Sequence, residues 1–177
     1  SEAVAKGAAR LRALQEQDGA WRSEYGGPGF LLPMAVAAFH IAGEPLPMGL
    51  APGMERQLRG VVSRDGGVGL HPEGHGTVFT TALTYVALRQ LGVEPDDPDA
   101  VRMRGWLREQ GGPLHSAPWG KFMLALLNLY PYEGVPPVLP ELWLLPRALP
   151  VHPGRLWCHA RQVYLPMRPG GAAYGYS

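Results

Sequence analysis

The apolar residues between Pro118 and Tyr130 recur with the period of an α-helix. Large apolar side chains lie at positions i, i+3, i+4, i+7, i+8 and i+11 of this stretch: Trp119, Phe122, Met123, Leu126, Leu127 and Tyr130. This spacing places all of them along one stripe of a helix. Pro118 suits the first turn, because a proline there removes no hydrogen bond that the helix needs. The pattern therefore predicts an amphipathic helix that begins just after Pro118.

The same periodicity, together with helix start and stop signals, predicts four further helices. Gly92 is a typical helix stop, and Asp96 or Asp97 followed by Pro98 is a typical helix start. The predicted ranges are Ala3–Gln17, Phe30–Ala42, Thr77–Leu91 and Pro98 to about Glu109. No segment alternates well enough to be a strand, so the sequence predicts an all-α fold.

A repeat of about 47 residues links these helices into units. Asp18-Gly19 recurs 47 positions later as Asp65-Gly66, and Gly111-Gly112 follows at about the same distance. A glycine-rich loop and an apolar helix come after each copy, so each unit is a pair of helices joined by a glycine turn. Neither helix can bury its apolar face alone, so such units stack. Three units that curve the same way would form part of an α/α toroid, although a straight solenoid has the same period.

Prolines divide the chain. We assign residues 1–130 to helix-pair repeats and residues 131–155 to a connection in which prolines forbid long helices. Residues 156–177 are predicted to contain a further helix, followed by an end that closes no element. Because the chain also does not begin with Met, we expect a fragment.

Composition narrows the possible functions. With 16 basic and 15 acidic side chains the net charge is only +1, which lacks the basic patch typical of nucleic-acid binding. The single cysteine, Cys158, excludes an internal disulfide and indicates an intracellular, reducing compartment. The longest apolar stretch is too short to span a bilayer, and no signal peptide opens the chain. His71 and His75 are separated by Pro72 and Gly74, which break any helix that would align them, so we expect no metal and no cofactor.

One motif in the first unit is more specific. Lys6-Gly7, Leu11, Gln15 and Gly19-Ala20-Trp21 follow one another at fixed spacing. This pattern resembles the Gln–Trp repeat of triterpene cyclases, in which the indole is expected to stack on the amide. Taken alone, the motif favours the plainer interpretation of a helix that ends at Asp-Gly beside a buried tryptophan. The second copy is degenerate, because Val62 and Val68 stand in place of Gln15 and Trp21.

Three longer strings, in this order, extend the resemblance over residues 5 to 167. They are Glu24-Tyr25-Gly26-Gly27-Pro28-Gly29-Phe30-Leu31-Leu32-Pro33, Pro118-Trp119-Gly120-Lys121-Phe122 and Leu156-Trp157-Cys158-His159-Ala160-Arg161-Gln162-Val163-Tyr164-Leu165-Pro166-Met167. Together they resemble the amino-terminal part of the oxidosqualene cyclases, the lanosterol or cycloartenol synthase family. Squalene–hopene cyclases share the repeat, but Cys158-His159 after the tryptophan points to the branch that uses an epoxide.

The resemblance implies a function. Cyclases of this family bind 2,3-oxidosqualene in an apolar cavity, protonate its epoxide and guide a cation cascade to a sterol-like product. Aromatic faces stabilise the migrating positive charge by roughly 0.5–2 kcal/mol each, and water has to be excluded because it would trap the cation. The resemblance also implies a monotopic association with a membrane surface.

The resemblance carries over to individual residues. Trp119 and Trp157 match positions that line the cavity, and Tyr25 matches the tyrosine that presses on the folding substrate. His159 matches the histidine associated with the last deprotonation, and Tyr164 matches a position near the substrate channel. Tyr25, Trp119, Trp157 and His159 are therefore expected to cluster on one concave side. The residues alone favour a core position for both tryptophans and a hydrogen-bonded structural role for His159.

The sequence also departs from the family. The initiating acid of these cyclases lies in an Asp-Cys-Thr-Ala-Glu type motif, and no Asp-Cys pair occurs here. Ala160 replaces a cysteine of many relatives, and the alignment ends where Arg168-Pro169 begins. We therefore expect the chain alone to be inactive and to need the missing carboxy-terminal cyclase domain as its partner. The alternatives are a non-catalytic α/α-toroid scaffold or a squalene–hopene-type fragment.

Overall fold

The protein is described by a computed structural model that covers residues 1–21, 28–135, 144–150, 152–158 and 160–161. Six α-helices form within these ranges: α1 (Glu2–Leu14), α2 (Leu31–Ala42), α3 (Leu50–Gly60), α4 (Val78–Gln90), α5 (Pro98–Glu109) and α6 (Pro118–Leu126). The described residues form no strand, and a single isolated bridge pairs Gly69 with Gly76. The prediction of an all-α fold is confirmed, and the helix pairs are consistent with part of an α/α toroid.

Three helices differ from the sequence prediction by more than one residue. α3 was not predicted, because its apolar stripe is short and Pro52 and Gly53 lie in its first turns, where a proline is nevertheless tolerated. α6 ends at Leu126 rather than Tyr130, since Asn128 has a left-handed backbone (φ 57°) that stops the helix. α1 ends at Leu14, three residues before the predicted Gln17.

α4 lies at the centre of the packing. It contacts α2, α3, α5 and α6, and it is buried over most of its length. The largest core cluster brings together residues of α2, α3, α4, α5 and the loops on either side of α4: Val36, Leu58, Val68, Ala87, Leu88, Val93 and Met103. Burial against all of these neighbours explains why α4 is apolar nearly all round rather than on one face.

Threonine hydroxyls fasten the start of α4 to the loop before it. Thr77 caps the helix by accepting the N–H of Thr80 over 3.2 Å. The Thr80 hydroxyl donates to the carbonyl of Val68, and the N–H of Val68 donates to the Thr81 hydroxyl over 2.9 Å. Because Thr80 and Thr81 are fully buried, these bonds remove the cost of burying their hydroxyl groups.

The 47-residue repeat appears in the backbone hydrogen bonds. The N–H of Glu16 donates to the carbonyl of Ala20 over 2.9 Å, and 47 residues later the N–H of Ser63 donates to that of Gly67 over 3.0 Å. In both copies the aspartate accepts the N–H two residues ahead, over 3.0 and 3.1 Å. The glycine that follows is left-handed in both, with φ of 83° and 95°. The first two units therefore share one loop geometry.

The third glycine pair acts differently. Gly111 and Gly112 are also left-handed, but the N–H of Gly112 donates over 2.7 Å to the carbonyl of Leu107, inside α5. The pair thus ends α5 directly, without the Asp-Gly loop of the earlier units.

An arginine clamp ties α3 to the start of α5. The guanidinium of Arg59 lies 2.8 Å from Glu55, 2.9 Å from Asp97 and 2.9 Å from Asp99. Asp97 also caps α5 by accepting the N–H of Asp99 over 2.9 Å, as the sequence predicted for Asp96 or Asp97. Its hydrogen bonds to Arg59 hold the pKa of Asp97 below the ordinary aspartate value.

The divisions at residues 131 and 156 stay predictions. In the described residues of the proline-rich connection, short 3-10 helices form at Tyr132–Gly134 and Pro153–Arg155. Among the helices that the structure describes, none is both long enough and apolar enough to cross a membrane.

Two glycine substitutions should affect stability in opposite directions. At Gly66, with φ 95°, an added Cβ would lie 2.5 Å from the carbonyl oxygen of Arg102. We expect Gly66→Ala to lower the free energy of unfolding by at least about 2 kcal/mol in urea denaturation. Gly105, inside α5, has open space around the same position. Gly105→Ala should raise that free energy by about 0.5–1 kcal/mol, and equal effects of the two changes would contradict this packing.

Candidate functional site

Three aromatic rings meet at the amino ends of α2, α4 and α6. Phe30 caps α2, Phe79 is the second residue of α4, and Trp119 is the second residue of α6. The ring centroids of Phe30 and Trp119 are 4.6 Å apart with the planes at 71°, an edge-to-face contact. Phe79 lies 5.1 Å from Trp119 and 5.6 Å from Phe30. These separations are typical of favourable aromatic pairs, and we call the three residues the aromatic cluster.

The helix packing explains why these rings converge. α4 contacts both α2 and α6, and each of the three helices begins with an aromatic residue. Phe79 is buried, whereas Phe30 and Trp119 are half-buried. Apolar side chains from the same helices support the rings from below: Met34, Ala37, Leu83, Met123, Leu126 and Leu127. The aromatic cluster therefore has a packed base and a partly open face.

Two glycines allow the close approach. At Gly120, next to Trp119, an added Cβ would collide with the hydroxyl of Ser116 and lie 2.7 Å from the ring of Phe79. Gly29, next to Phe30, donates its N–H to the carbonyl of Leu70 over 2.6 Å. A side chain at Gly120 would displace the ring of Phe79, and one at Gly29 would collide with the carbonyl of Gly69, which gives a physical reason for the glycines in both motif strings.

The chemistry of this surface is that of an electron-rich apolar wall. The members of the aromatic cluster and their supporting residues carry no charge, so the open face can contact an apolar molecule without desolvating an ion. The face of an indole or phenyl ring attracts a cation, by up to about 2 kcal/mol where water is excluded. The arrangement suits an apolar ligand on which positive charge develops.

The structure places only some of the residues expected at the site. Trp119 lies in the aromatic cluster, and Trp157 is 71% exposed. Tyr25, His159 and Tyr164 lie outside the described residues. The expectation that Tyr25, Trp119, Trp157 and His159 cluster on one concave side stays a prediction, and so does the role of each of the five residues.

Sequence reasoning missed Phe30 and Phe79 as partners of Trp119. Phe30 stands within the first motif string, and Phe79 lies within the helix predicted at Thr77–Leu91. The available signal was the repeat itself, because an aromatic residue stands at the start of every second helix.

The Gln–Trp motif closes the first Asp-Gly loop through the backbone. The amide Nε2 of Gln15 donates to the carbonyl of Gly19 over 2.8 Å. The indole Nε1 of Trp21 donates to the carbonyl of Leu11 over 2.7 Å. Trp21 is 54% exposed, so it is not the buried tryptophan of the plainer interpretation.

The degenerate second copy keeps the geometry with apolar side chains. Leu58 and Val68 occupy the positions of Leu11 and Trp21, and each is only 1% exposed, in the same core cluster. A buried indole N–H would need an acceptor there, whereas valine needs none. Burial of Val68 therefore accounts for the loss of the indole, whereas Val62, in the place of Gln15, is only half-buried.

The aromatic cluster can be tested by stability. Phe79→Leu removes both ring contacts of Phe79 and should lower the free energy of unfolding by about 1–3 kcal/mol, measured with urea. Phe122→Leu makes the same change at a half-buried phenylalanine of α6 outside the cluster. Phe122→Leu should lower the free energy of unfolding by clearly less than Phe79→Leu does. Equal losses would mean that the ring contacts contribute nothing beyond burial.

Comparison with known proteins identifies the family. Residues 4–168 match the family described as the squalene-hopene cyclase N-terminal domain. The lanosterol synthase of Mus musculus is 52% identical over 166 residues, which are 94% of this chain and 23% of that protein. The lanosterol synthase of Homo sapiens is 54% identical over 154 residues, or 87% of this chain and 21% of that protein.

A cycloartenol synthase, from Dictyostelium discoideum, is 45% identical over 167 residues, which are 94% of this chain and 24% of that protein. The chain thus spans less than a quarter of the length of these relatives. The resemblance to the oxidosqualene cyclases, read from the motif strings, is confirmed by these matches. The chain belongs to the squalene-hopene cyclase N-terminal domain family.

Proposed function

We propose that this chain forms part of the substrate cavity of an oxidosqualene cyclase, an isomerase of sterol and triterpenoid biosynthesis. The substrate is 2,3-oxidosqualene, and its cyclisation proceeds through carbocations. The observation that carries the proposal is the aromatic cluster, in which Trp119 offers a half-buried indole beside Phe30 on a packed apolar base. Similarity to lanosterol and cycloartenol synthases supports the epoxide as the substrate.

The cyclisation needs an acid that protonates the epoxide, a surface that stabilises the cation and a base that removes the last proton. The residues of this chain contribute to the second and the third. Trp119 and Trp157, with Tyr25 and Tyr164, line the cavity and stabilise or steer the migrating charge. His159 assists the final loss of a proton. The initiating acid comes from the partner, the carboxy-terminal cyclase domain, because these 177 residues contain no Asp-Cys pair.

We also propose that the protein acts at an intracellular membrane surface, as a monotopic protein. An apolar isoprenoid substrate resides in lipid, and α1 contributes exposed apolar side chains that lipid could cover, Val4, Leu11 and Leu14. Flotation of the chain with phospholipid vesicles tests this proposal, and a chain that stays at the bottom of the gradient contradicts it.

A chimeric enzyme tests the function directly. The matched region of the Mus musculus lanosterol synthase is replaced by this chain, and products from 2,3-oxidosqualene are identified by mass spectrometry. We expect a tetracyclic product from the chimera and none from the 177 residues alone. Trp119→Ala in the chimera should lower kcat about tenfold or more, since a π face is lost where charge develops.

Two further variants serve as controls. Trp119→Phe keeps an aromatic face and should retain more activity than Trp119→Ala. Trp21→Phe changes an exposed indole in the Asp-Gly loop and should leave the rate unchanged. A folded chimera without product, or an unchanged rate after Trp119→Ala, would contradict the proposal. Product from the 177 residues alone would contradict the requirement for a partner domain.

A further inference from the structure

A second cavity, of about 280 Å³, lies between α4, α5 and the end of α6. Its floor is apolar and comes from all three helices, with Ala82, Val86, Leu107 and Leu124 as its main contributors. It shares no residue with the aromatic cluster. Small-molecule clefts usually hold about 300–1,000 Å³, so the volume of this cavity lies just below that range and has room for one alkyl chain.

Two guanidinium groups border this apolar floor. Arg104 and Arg108 lie one turn apart on α5, on the same side of the helix, and both line the cavity. No carboxylate contributes to its lining within the described part of the chain. The cavity therefore combines an apolar slot with a positive rim.

The two arginines differ in how they are held. The guanidinium of Arg104 lies 5.9 Å above the ring of Tyr85 and donates to the Tyr85 hydroxyl over 3.4 Å and to the carbonyl of Pro95. These contacts fix its charge at the rim. Arg108 is exposed, and its guanidinium forms no ion pair or hydrogen bond with any other residue that the structure describes. It keeps the donors needed to bind a carboxylate in a bidentate manner.

We propose that this cavity binds an anionic amphiphile with a single alkyl chain, of the fatty-acid carboxylate class. The chain lies on the apolar floor between α4 and α6, and the carboxylate pairs with Arg108 while Arg104 adds a second, fixed positive charge. The opposite chemistry of floor and rim selects for such a molecule, since an uncharged chain leaves the rim unused and a small anion leaves the floor exposed. The proposal does not depend on the proposed cyclase function.

Calorimetric titration of the 177-residue chain with decanoate tests the proposal, with decanol as an uncharged probe of equal chain length. We expect saturable binding of one decanoate at about pH 7.5, where the carboxylate is ionised, and at least about fivefold weaker binding of decanol. Arg108→Gln should raise the Kd for decanoate about fivefold and leave that for decanol unchanged. Arg56→Gln removes an equivalent charge from the exposed surface of α3 and should change neither the Kd for decanoate nor the Kd for decanol.

A second variant tests the apolar floor. Val86→Phe fills part of the cavity and should raise the Kd for both decanoate and decanol at least fivefold. Circular dichroism should confirm that the helices are retained. The proposal is overturned if decanoate shows no saturable binding below the millimolar range or binds no more tightly than decanol. It is also overturned if Arg108→Gln and Arg56→Gln lower the affinity for decanoate equally. Decanoate binding that Val86→Phe leaves intact in a folded protein overturns it too, because the ligand would then lie elsewhere.

Discussion

The hydrogen bonds between Val68 and the threonines of α4 are the constraint on which the rest of this structure depends. α4 is surrounded by other helices, so a hydroxyl group buried there costs stability unless the protein supplies its hydrogen-bond partner. The Thr84 hydroxyl has no partner among the described residues, whereas Thr80 and Thr81 find theirs on the backbone of Val68, at the end of the second Asp-Gly loop. This contact fixes the loop relative to the first turn of α4, which is also the turn that carries Phe79. The position of the aromatic cluster thus follows from the satisfaction of two buried hydroxyl groups.

The repeat shows how one backbone design tolerates different side chains. The first Asp-Gly loop is exposed and is closed by polar contacts from Gln15 and Trp21 to the backbone. The second has the same backbone bonds, yet Leu58 and Val68 close it by packing in the core. Exposure permits polar side chains in the first unit, and burial favours apolar ones in the second. A unit that lacks the glutamine and tryptophan of the motif can therefore still have the backbone structure of the repeat.

Much of the architecture could be predicted from local signals. Helical periodicity and capping gave α2, α4 and α5 nearly to the residue, because an apolar stripe and a cap such as Asp97 act within a few residues. α3 was missed because its stripe is short and begins among prolines and glycines. The end of α6 was misplaced because the apolar pattern continues past Asn128, whose backbone turns left-handed. The contacts of Trp119 with Phe30 and Phe79 could not be derived locally, since they depend on how three helices pack around α4.

We propose that the open face of the aromatic cluster contacts the isoprenoid substrate. The distance between the Trp119 indole and a bound 2,3-oxidosqualene analogue, measured in a structure of the chimeric cyclase, tests this proposal most directly. We expect a carbon of the ligand within about 6 Å of the indole centroid of Trp119, the range in which a ring stabilises a cation. A ligand bound well beyond that distance, with Trp119 still covered by protein, would show that the cluster is only part of the hydrophobic core.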